Sequence, residues 1–269
     1  MSEPVQFADL QDKVVWITGA AKGMGFAMAQ AFAAQGAKLA LLDVDGQGLA
    51  AAGRQLGLEG DRCHLITGSV TDAHAMTAAA DSIVDSFGRL DVMINNAGIS
   101  MNKPTLEVTA DEWLRAVGIN LNGVFFGAQA AARHMLDQQS GVIICMGSVY
   151  GVSTAPNRAA YCATKSAVVA LSQSLAAEWA QHGIRVNALC PGYVQTPFLA
   201  DLMQRGVLDR ESLASRIPLG RLATPEEIAE VAVYMGSDAS RYMTGHAMVV
   251  DGGWTADSFK ALAQRQSAE

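Results

Sequence analysis

Apolar residues fall along the chain in two alternating textures. Short β-rich runs with few polar interruptions occur at 14–18 (VVWIT), 38–43 (KLALLD), 63–67, 90–95 (LDVMIN), 142–146 (VIICM), 184–190 (IRVNALC) and 246–250. Between them, stretches rich in Ala, Gln, Glu and Met repeat their apolar side chains at helical spacing. A strand that is apolar at consecutive positions is covered on both faces, which is the signature of a parallel sheet between layers of helix. Strand and helix in strict alternation predict an α/β fold, doubly wound, with a parallel seven-stranded sheet and right-handed crossovers. No Pro/Gly/Ser-rich linker, repeat or low-complexity block interrupts the pattern, so residues 1–269 read as a single domain.

Two helix starts are marked by the capping-box pattern, Thr109-Ala-Asp-Glu112 and Thr224-Pro-Glu-Glu227, with Pro225 at the favoured first helical position. The stretch 159–180 is different, since apolar residues occupy nearly every side of its helical projection. A helix of that kind is expected to be buried all round, one face on the sheet and the other on a second subunit. Residues 121–132 (LNGVFFGAQAAA) repeat the pattern more weakly. A homotetramer is the expected assembly, supported also by the family resemblance described below.

Charge narrows the range of partners. Nineteen Lys and Arg against 26 Asp and Glu give a net charge of -7, and half of the 269 residues are hydrophobic. An acidic chain lacks the clustered positive charge that nucleic acid and anionic membranes require, so neither is expected as a partner. The first ten residues, MSEPVQFADL, do not read as a secretory signal, and no apolar stretch approaches bilayer length. A cytoplasmic location is expected. Cys63, Cys145, Cys162 and Cys190 are scattered without CxxC spacing, and the five histidines have no ligand-like pairing, so no metal site is expected.

Chemistry begins at the end of the first strand. Thr18-Gly19-Ala-Ala-Lys22-Gly23-Met24-Gly25 runs directly into the helical stretch FAMAQAFAAQG. Glycines in a strand-to-helix turn let the backbone approach a pyrophosphate, and the helix N-terminus favours its charge. Asp43 closes the second strand, where a carboxylate accepts hydrogen bonds from an adenosine ribose diol and repels a 2′-phosphate. Lys22 pulls the other way, but it can swing into solvent. The expected cofactor is NAD.

These segments and others downstream resemble the short-chain dehydrogenase/reductase family over nearly the whole chain. The resemblance is carried by TGAAKGMG at 18–25, Asn95-Asn96-Ala97-Gly98, Asn120 in INLNGVF, Ser148 in GSVYG, Tyr161-Cys-Ala-Thr-Lys165, Pro191-Gly192 with Thr196, and Asp251-Gly252-Gly253. It implies a Rossmann-type fold and an Asn–Ser–Tyr–Lys tetrad at Asn120, Ser148, Tyr161 and Lys165. It implies further that Asn120 helps maintain a water path from Lys165. Asn96, Ala97 and Gly98 would form a turn over the adenosine side of the cofactor. Pro191, Gly192, Val194 and Thr196 would contact its nicotinamide. Many relatives have an acidic residue before the hydrophobic adenine contact, where this chain has Ser69-Val70, so Val70 is kept as a contact and Ser69 is not. Gly147 stands where many relatives have a second serine.

The chemistry also follows from spacing. Tyr161 and Lys165 lie one helical turn apart on one face. A free phenol titrates near ~10, and a nearby ammonium together with an oxidised nicotinamide favours its ionised form. Tyr161 would then take the proton of an alcohol as hydride leaves the same carbon, and return it in the reverse direction. Ser148 would hold the substrate oxygen. Among the loop residues Met101, Val149, Tyr150, Arg158, Tyr193, Phe198 and Met203, only Arg158 carries charge, three residues before Tyr161. It reads equally as an anchor for an anionic substrate or as an exposed or interfacial first-turn arginine. The segment 197–222 reads as a mobile lid. The leading reading is an NAD-dependent dehydrogenase of a small-molecule secondary alcohol, polyol, sugar or hydroxy acid. An NADPH-dependent ketone or 3-oxoacyl reductase and a non-catalytic dinucleotide sensor are the alternatives.

Overall fold

Odd and even positions of the first strand separate into two cores. A computed structural model of the chain describes residues 5–58, 61–204, 206 and 209–257. In β1 (Val14–Thr18), Val14 and Trp16 face one side of the sheet while Val15 and Ile17 face the other, and all four are buried. The pattern repeats in β2 (Lys38–Asp43), with Ala40 and Leu42 on the first side and Leu39 and Leu41 on the second. Period-two alternation with both faces apolar is what a strand sandwiched between helix layers requires. The other strands are β3 (Cys63–Thr67), β4 (Val92–Asn95), β5 (Gly141–Met146), β6 (Ile184–Pro191) and β7 (Ala247–Val250). They form one parallel sheet in the order β3-β2-β1-β4-β5-β6-β7, as the sequence pattern predicted.

The helices in chain order are α1 (Gly23–Ala34), α2 (Gly46–Leu56), α3 (Ala73–Phe87), α4 (Ala110–Val117), α5 (Gly123–Gln138), α6 (Val149–Val152), α7 (Ala159–Trp179), α8 (Pro197–Gln204), α9 (Arg210–Arg216) and α10 (Pro225–Gly236). Met28 and Phe32 of α1 and Ile228 and Ala232 of α10 fill the core on one side. Met76 and Ile83 of α3, Val124 and Ala128 of α5, and Val168 and Leu175 of α7 fill the other. Both capping boxes form, Thr109 with Glu112 and Thr224 with Glu227.

One expected strand bound is corrected. Leu90 and Asp91 precede β4 rather than opening it, and the Asp91 carboxylate accepts from Val14 N at 2.9 Å and from the Lys13 and Arg89 side chains. Helix α7 buries Val168, Leu175 and Ala176 in the core, while Ala159, Ala163, Ser166, Ala170 and Ala177 are exposed within the single chain, on the side expected to meet a second subunit. Among the described residues, no helix is long and apolar enough to cross a membrane.

The chain order reverses direction across the sheet between β1 and β4, both of which end at the same edge. A crevice opens outside the carboxyl ends of the strands at such a switch point. The candidate site occupies it.

Candidate active site

A cleft of about 860 Å³ lies at that edge. Its first wall is the turn from β1 into α1. Gly19 takes φ +66°, and a Cβ there would meet Ala97 Cα at 2.9 Å. A Cβ on Gly25 would run into the Gly19 carbonyl oxygen, so the first turn of α1 packs directly on the strand exit. The Thr18 hydroxyl accepts from Asn96 N and Ala97 N, both at 3.1 Å. In return, the Asn96 side chain donates to the carbonyls of Thr18 at 2.9 Å and Gly19 at 3.0 Å. Asn96 therefore stitches the glycine turn to the end of β4, and Asn96, Ala97 and Gly98 all line the cleft.

Asp43, at the carboxyl end of β2, accepts from Ala21 N and Asp45 N, each at 3.0 Å and each on a different carboxylate oxygen. Each oxygen accepts one of these bonds and has capacity for a further one, and Asp43 lines the cleft. Lys22, Gly23, Met24 and Val70 line the same cavity, and Lys22 is solvent-exposed. A bare glycine cradle at a helix N-terminus, with a pinned carboxylate at the next strand end, fits the pyrophosphate and ribose of a dinucleotide.

At the far end of the cleft stand Ser148, Tyr161 and Lys165. Ser148 lies two residues past β5, is 6% exposed, and its hydroxyl caps α6 by accepting from Tyr150 N at 3.1 Å. Tyr161 and Lys165 project from the first turns of α7. The Lys165 ammonium, 4% exposed, donates to the Met146 carbonyl oxygen at 2.6 Å and lies 5.8 Å from the Tyr161 ring centre. Burial pushes Lys165 down to about 8. Burial also holds the Tyr161 phenol above its usual value, although the Ser148 hydroxyl and the Arg158 charge pull the other way. In the chain alone desolvation outweighs these neighbours, and the charge of an oxidised nicotinamide, the other half of the expectation, is not part of that balance.

Asn120 lies behind these residues, fully buried in a π-helical turn at Gly118–Asn122 between α4 and α5. Its Oδ1 accepts from Ile99 N at 2.8 Å, and its Nδ2 donates to Ile99 O at 2.9 Å. A Cβ placed on Gly98 would fall 3.3 Å from Asn120 Oδ1 and 3.6 Å from Lys165 Nζ, so the three residues meet.

Pro191, Gly192 and Thr196 line the cleft, whereas Val194 turns into a second, smaller pocket of about 140 Å³. Ser148 and Tyr161 border both cavities. Of the loop residues considered for substrate contact, Val149, Tyr150, Arg158 and Tyr193 line the small pocket. Met203 packs instead with Leu199, Ile217 and Leu222, Met101 lines neither cavity, and the Phe198 side chain lies outside the described residues. Arg158 is 8% exposed, which removes the reading of an exposed first-turn arginine. Ser69, set aside on the sequence in favour of Val70, lines the cleft beside it, and Ser100 and Arg115, which the sequence did not mark, line it too. Ser100 lies two residues past Gly98 on the same strand-end loop and was accessible to that reasoning, while nothing local marks Arg115.

A family model described as enoyl-(acyl carrier protein) reductase matches residues 19–255. The chain is 38% identical to D-threitol dehydrogenase of Mycolicibacterium smegmatis over 248 residues, covering 91% of this chain and 94% of that one. It is 39% identical to cis-4-hydroxycyclohexanecarboxylate dehydrogenase of Sinomonas cyclohexanicum over 246 residues, 91% of this chain and 97% of that one. Among solved structures, the 3-ketoacyl-(acyl-carrier-protein) reductase of Brucella melitensis complexed with NADH superposes with a TM-score of 0.85 at 33% identity. That match covers 91% of this chain and 99% of the other.

Proposed function

The chain belongs to the short-chain dehydrogenase/reductase family, and from that premise we propose that it is an NAD-dependent oxidoreductase interconverting a secondary alcohol and its carbonyl. The observation that carries this reading is the convergence of Ser148, Tyr161 and Lys165 at one end of a cleft whose other end is the glycine turn and Asp43. A bound oxidised nicotinamide supplies the hydride acceptor and a positive charge. The chain's own residues do the rest. Ser148 holds the substrate oxygen by hydrogen bond, and Tyr161 takes its proton in oxidation and returns it in reduction. Lys165, fixed to the Met146 carbonyl, sets the height of α7 and so the approach of Tyr161 to Ser148. Asn120 braces the Ile99 backbone beside Lys165.

NAD is the proposed cofactor because Asp43 keeps a pinned carboxylate where a 2′-phosphate would have to sit. Lys22, exposed at the rim of the same cleft, favours the alternative, an NADPH-dependent ketone or 3-oxoacyl reductase. The substrate is a small molecule. A homotetramer is proposed from the exposed small residues of α7 and from Phe125 on α5, which is 38% exposed. The four free cysteines fit a reducing, cytoplasmic compartment.

The test is a panel of secondary alcohols, polyols, sugars and hydroxy acids with NAD or NADP, read by fluorescence of the reduced cofactor. Turnover with NAD supports the reading, and a preference for NADP transfers it to the reductase alternative. Silence throughout, with NAD bound, would leave a dinucleotide sensor.

A further inference from the structure

The small pocket beside Ser148 and Tyr161 holds a cation that has no counter-ion among the described residues. Arg158 is more than nine-tenths buried, and its one side-chain hydrogen bond among the described residues is a long one, 3.5 Å to the Ser100 hydroxyl. Its guanidinium lies 5.1 Å over the Tyr150 ring, and among the described residues no carboxylate pairs with it. An arginine cannot shed its charge when buried, so the cost of desolvation stands until an anion arrives. The position compounds that cost. Arg158 is the residue at which α7 begins, where the helix dipole is already positive and a cation is disfavoured.

Local backbone commits the side chain to this place. Asn157 adopts φ +61°, a left-handed conformation that asparagine tolerates better than most residues, and its carbonyl accepts from Lys103 N at 2.8 Å. That bond ties the loop carrying Ser100 to the start of α7, bringing hydroxyl and guanidinium to one wall of the pocket. Ser148 and Tyr161 border the same space. Arg158 and Ser100 are thus built into the cavity that Ser148 and Tyr161 also border.

We propose that this pocket is a carboxylate subsite, and that the substrates are hydroxy acids whose carboxylate pairs with Arg158 while their hydroxyl meets Ser148 and Tyr161. The inference rests on the dehydrogenase reading and names its substrate class. A planar carboxylate matches the guanidinium fork with two parallel hydrogen bonds, and a pocket of about 140 Å³ suits a compact acid. Substrate binding then supplies the anion that both the buried arginine and the helix N-terminus lack.

The test compares 2-, 3- and 4-hydroxy acids of four to six carbons, and cis-4-hydroxycyclohexanecarboxylate, with their methyl esters. Wild type, Arg158→Gln and Arg158→Lys are each assayed with NAD. For the best substrate, kcat/KM for the acid should exceed that for its ester by about ten- to a hundredfold in wild type, the range for hydrogen bonds to charged partners. The ratio should collapse toward one in Arg158→Gln and be partly restored by Arg158→Lys. It is measured within each variant, so a loss of folded protein cancels. Acid and ester turned over equally by wild type, or a ratio unchanged in Arg158→Gln, would overturn the subsite while leaving the dehydrogenase intact. A shift of the pH profile that is alike for acid and ester, at constant ratio, would likewise overturn it by assigning Arg158 to the Tyr161 phenol. If nothing in the set is oxidised, the dehydrogenase reading fails separately. The subsite is then decided by calorimetry on NAD-loaded protein, where tighter binding of acid than ester, lost in Arg158→Gln, supports it and equal binding removes it.

Discussion

Lys165 reaches from α7 to the carboxyl end of β5, where its ammonium donates to the Met146 carbonyl oxygen at 2.6 Å. Ser148 lies two residues beyond that carbonyl and Tyr161 one turn before that lysine, so a single hydrogen bond joins the helix carrying the phenol to the strand end that leads into the hydroxyl.

That bond is made at a cost to stability. Lys165 titrates at about 8 in the folded chain against 10.5 for an ordinary lysine. At pH 7 it is charged in both folded and unfolded states, and the folded state bears the burial penalty. Between pH 8 and 10.5 the folded protein releases the proton first, so stability from this group rises with pH. Lys165→Met should abolish turnover yet stabilise the protein without cofactor at pH 7, by about 2 kcal/mol after allowing for the lost hydrogen bond. Thermal unfolding of both proteins at pH 7 and at about pH 10 should show the gap narrowing as pH rises. A less stable variant at pH 7 would contradict this.

Gly25 is closed to any side chain by the Gly19 carbonyl oxygen. Gly25→Ala should force the start of α1 away from the strand exit, costing about 1–3 kcal/mol of stability. NAD affinity should fall about tenfold or more, since the backbone cradle opens with it. Calorimetry with NAD, alongside denaturant unfolding, checks both effects. Unchanged affinity would place the cofactor elsewhere.

Asp43 does two jobs, holding the Ala21 and Asp45 amides and presenting charge to the ribose site. Asp43→Asn keeps an acceptor but removes the charge. Its kcat/KM with NAD should drop about tenfold, as expected for one weakened charge-assisted bond, and the ratio of NADP to NAD should rise. Steady-state kinetics with both cofactors decides it. An unchanged ratio would detach Asp43 from cofactor choice.

Helix α9 contacts the rest of the chain through a small satellite core. Leu213 and Ile217 are buried, and the Arg216 guanidinium lies 4.4 Å over Trp254, which meets Tyr193 of the small pocket edge-on, 5.1 Å between ring centres. Elements with few buried contacts open at low free energy. Amide hydrogens of 210–217 should exchange faster than those of α10 in the free protein and slow on addition of NAD and substrate. Equal protection with and without ligands would rule out a lid.

The sheet was legible because its information is local and redundant. Each of the seven apolar runs became a strand, and Thr109 and Thr224 announced their helices by capping chemistry alone. The glycine turn, Asp43, Ser148, Tyr161 and Lys165 were found because each sits at a strand end or at helical spacing, where sequence position maps directly onto the cleft. What escaped depends on distant partners. The π-helical turn that buries Asn120 has no local signal, since it exists to let Asn120 grip Ile99 across the loop. Arg158 could not be told from a surface arginine until the loop carrying Ser100 and the ring of Tyr150 closed over it. The burial that opposes ionisation of Tyr161 in the chain alone comes from distant packing, which spacing does not encode.

The central claim is that Tyr161 carries the proton of the reacting alcohol. Tyr161→Phe removes only the hydroxyl and leaves the ring against Tyr150, 6.4 Å between centres. With the best substrate from the alcohol panel, kcat should fall by about a hundredfold or more, the usual contribution of a general acid–base group. NAD affinity measured by calorimetry should stay nearly unchanged. A variant that keeps more than about a tenth of kcat would contradict the account.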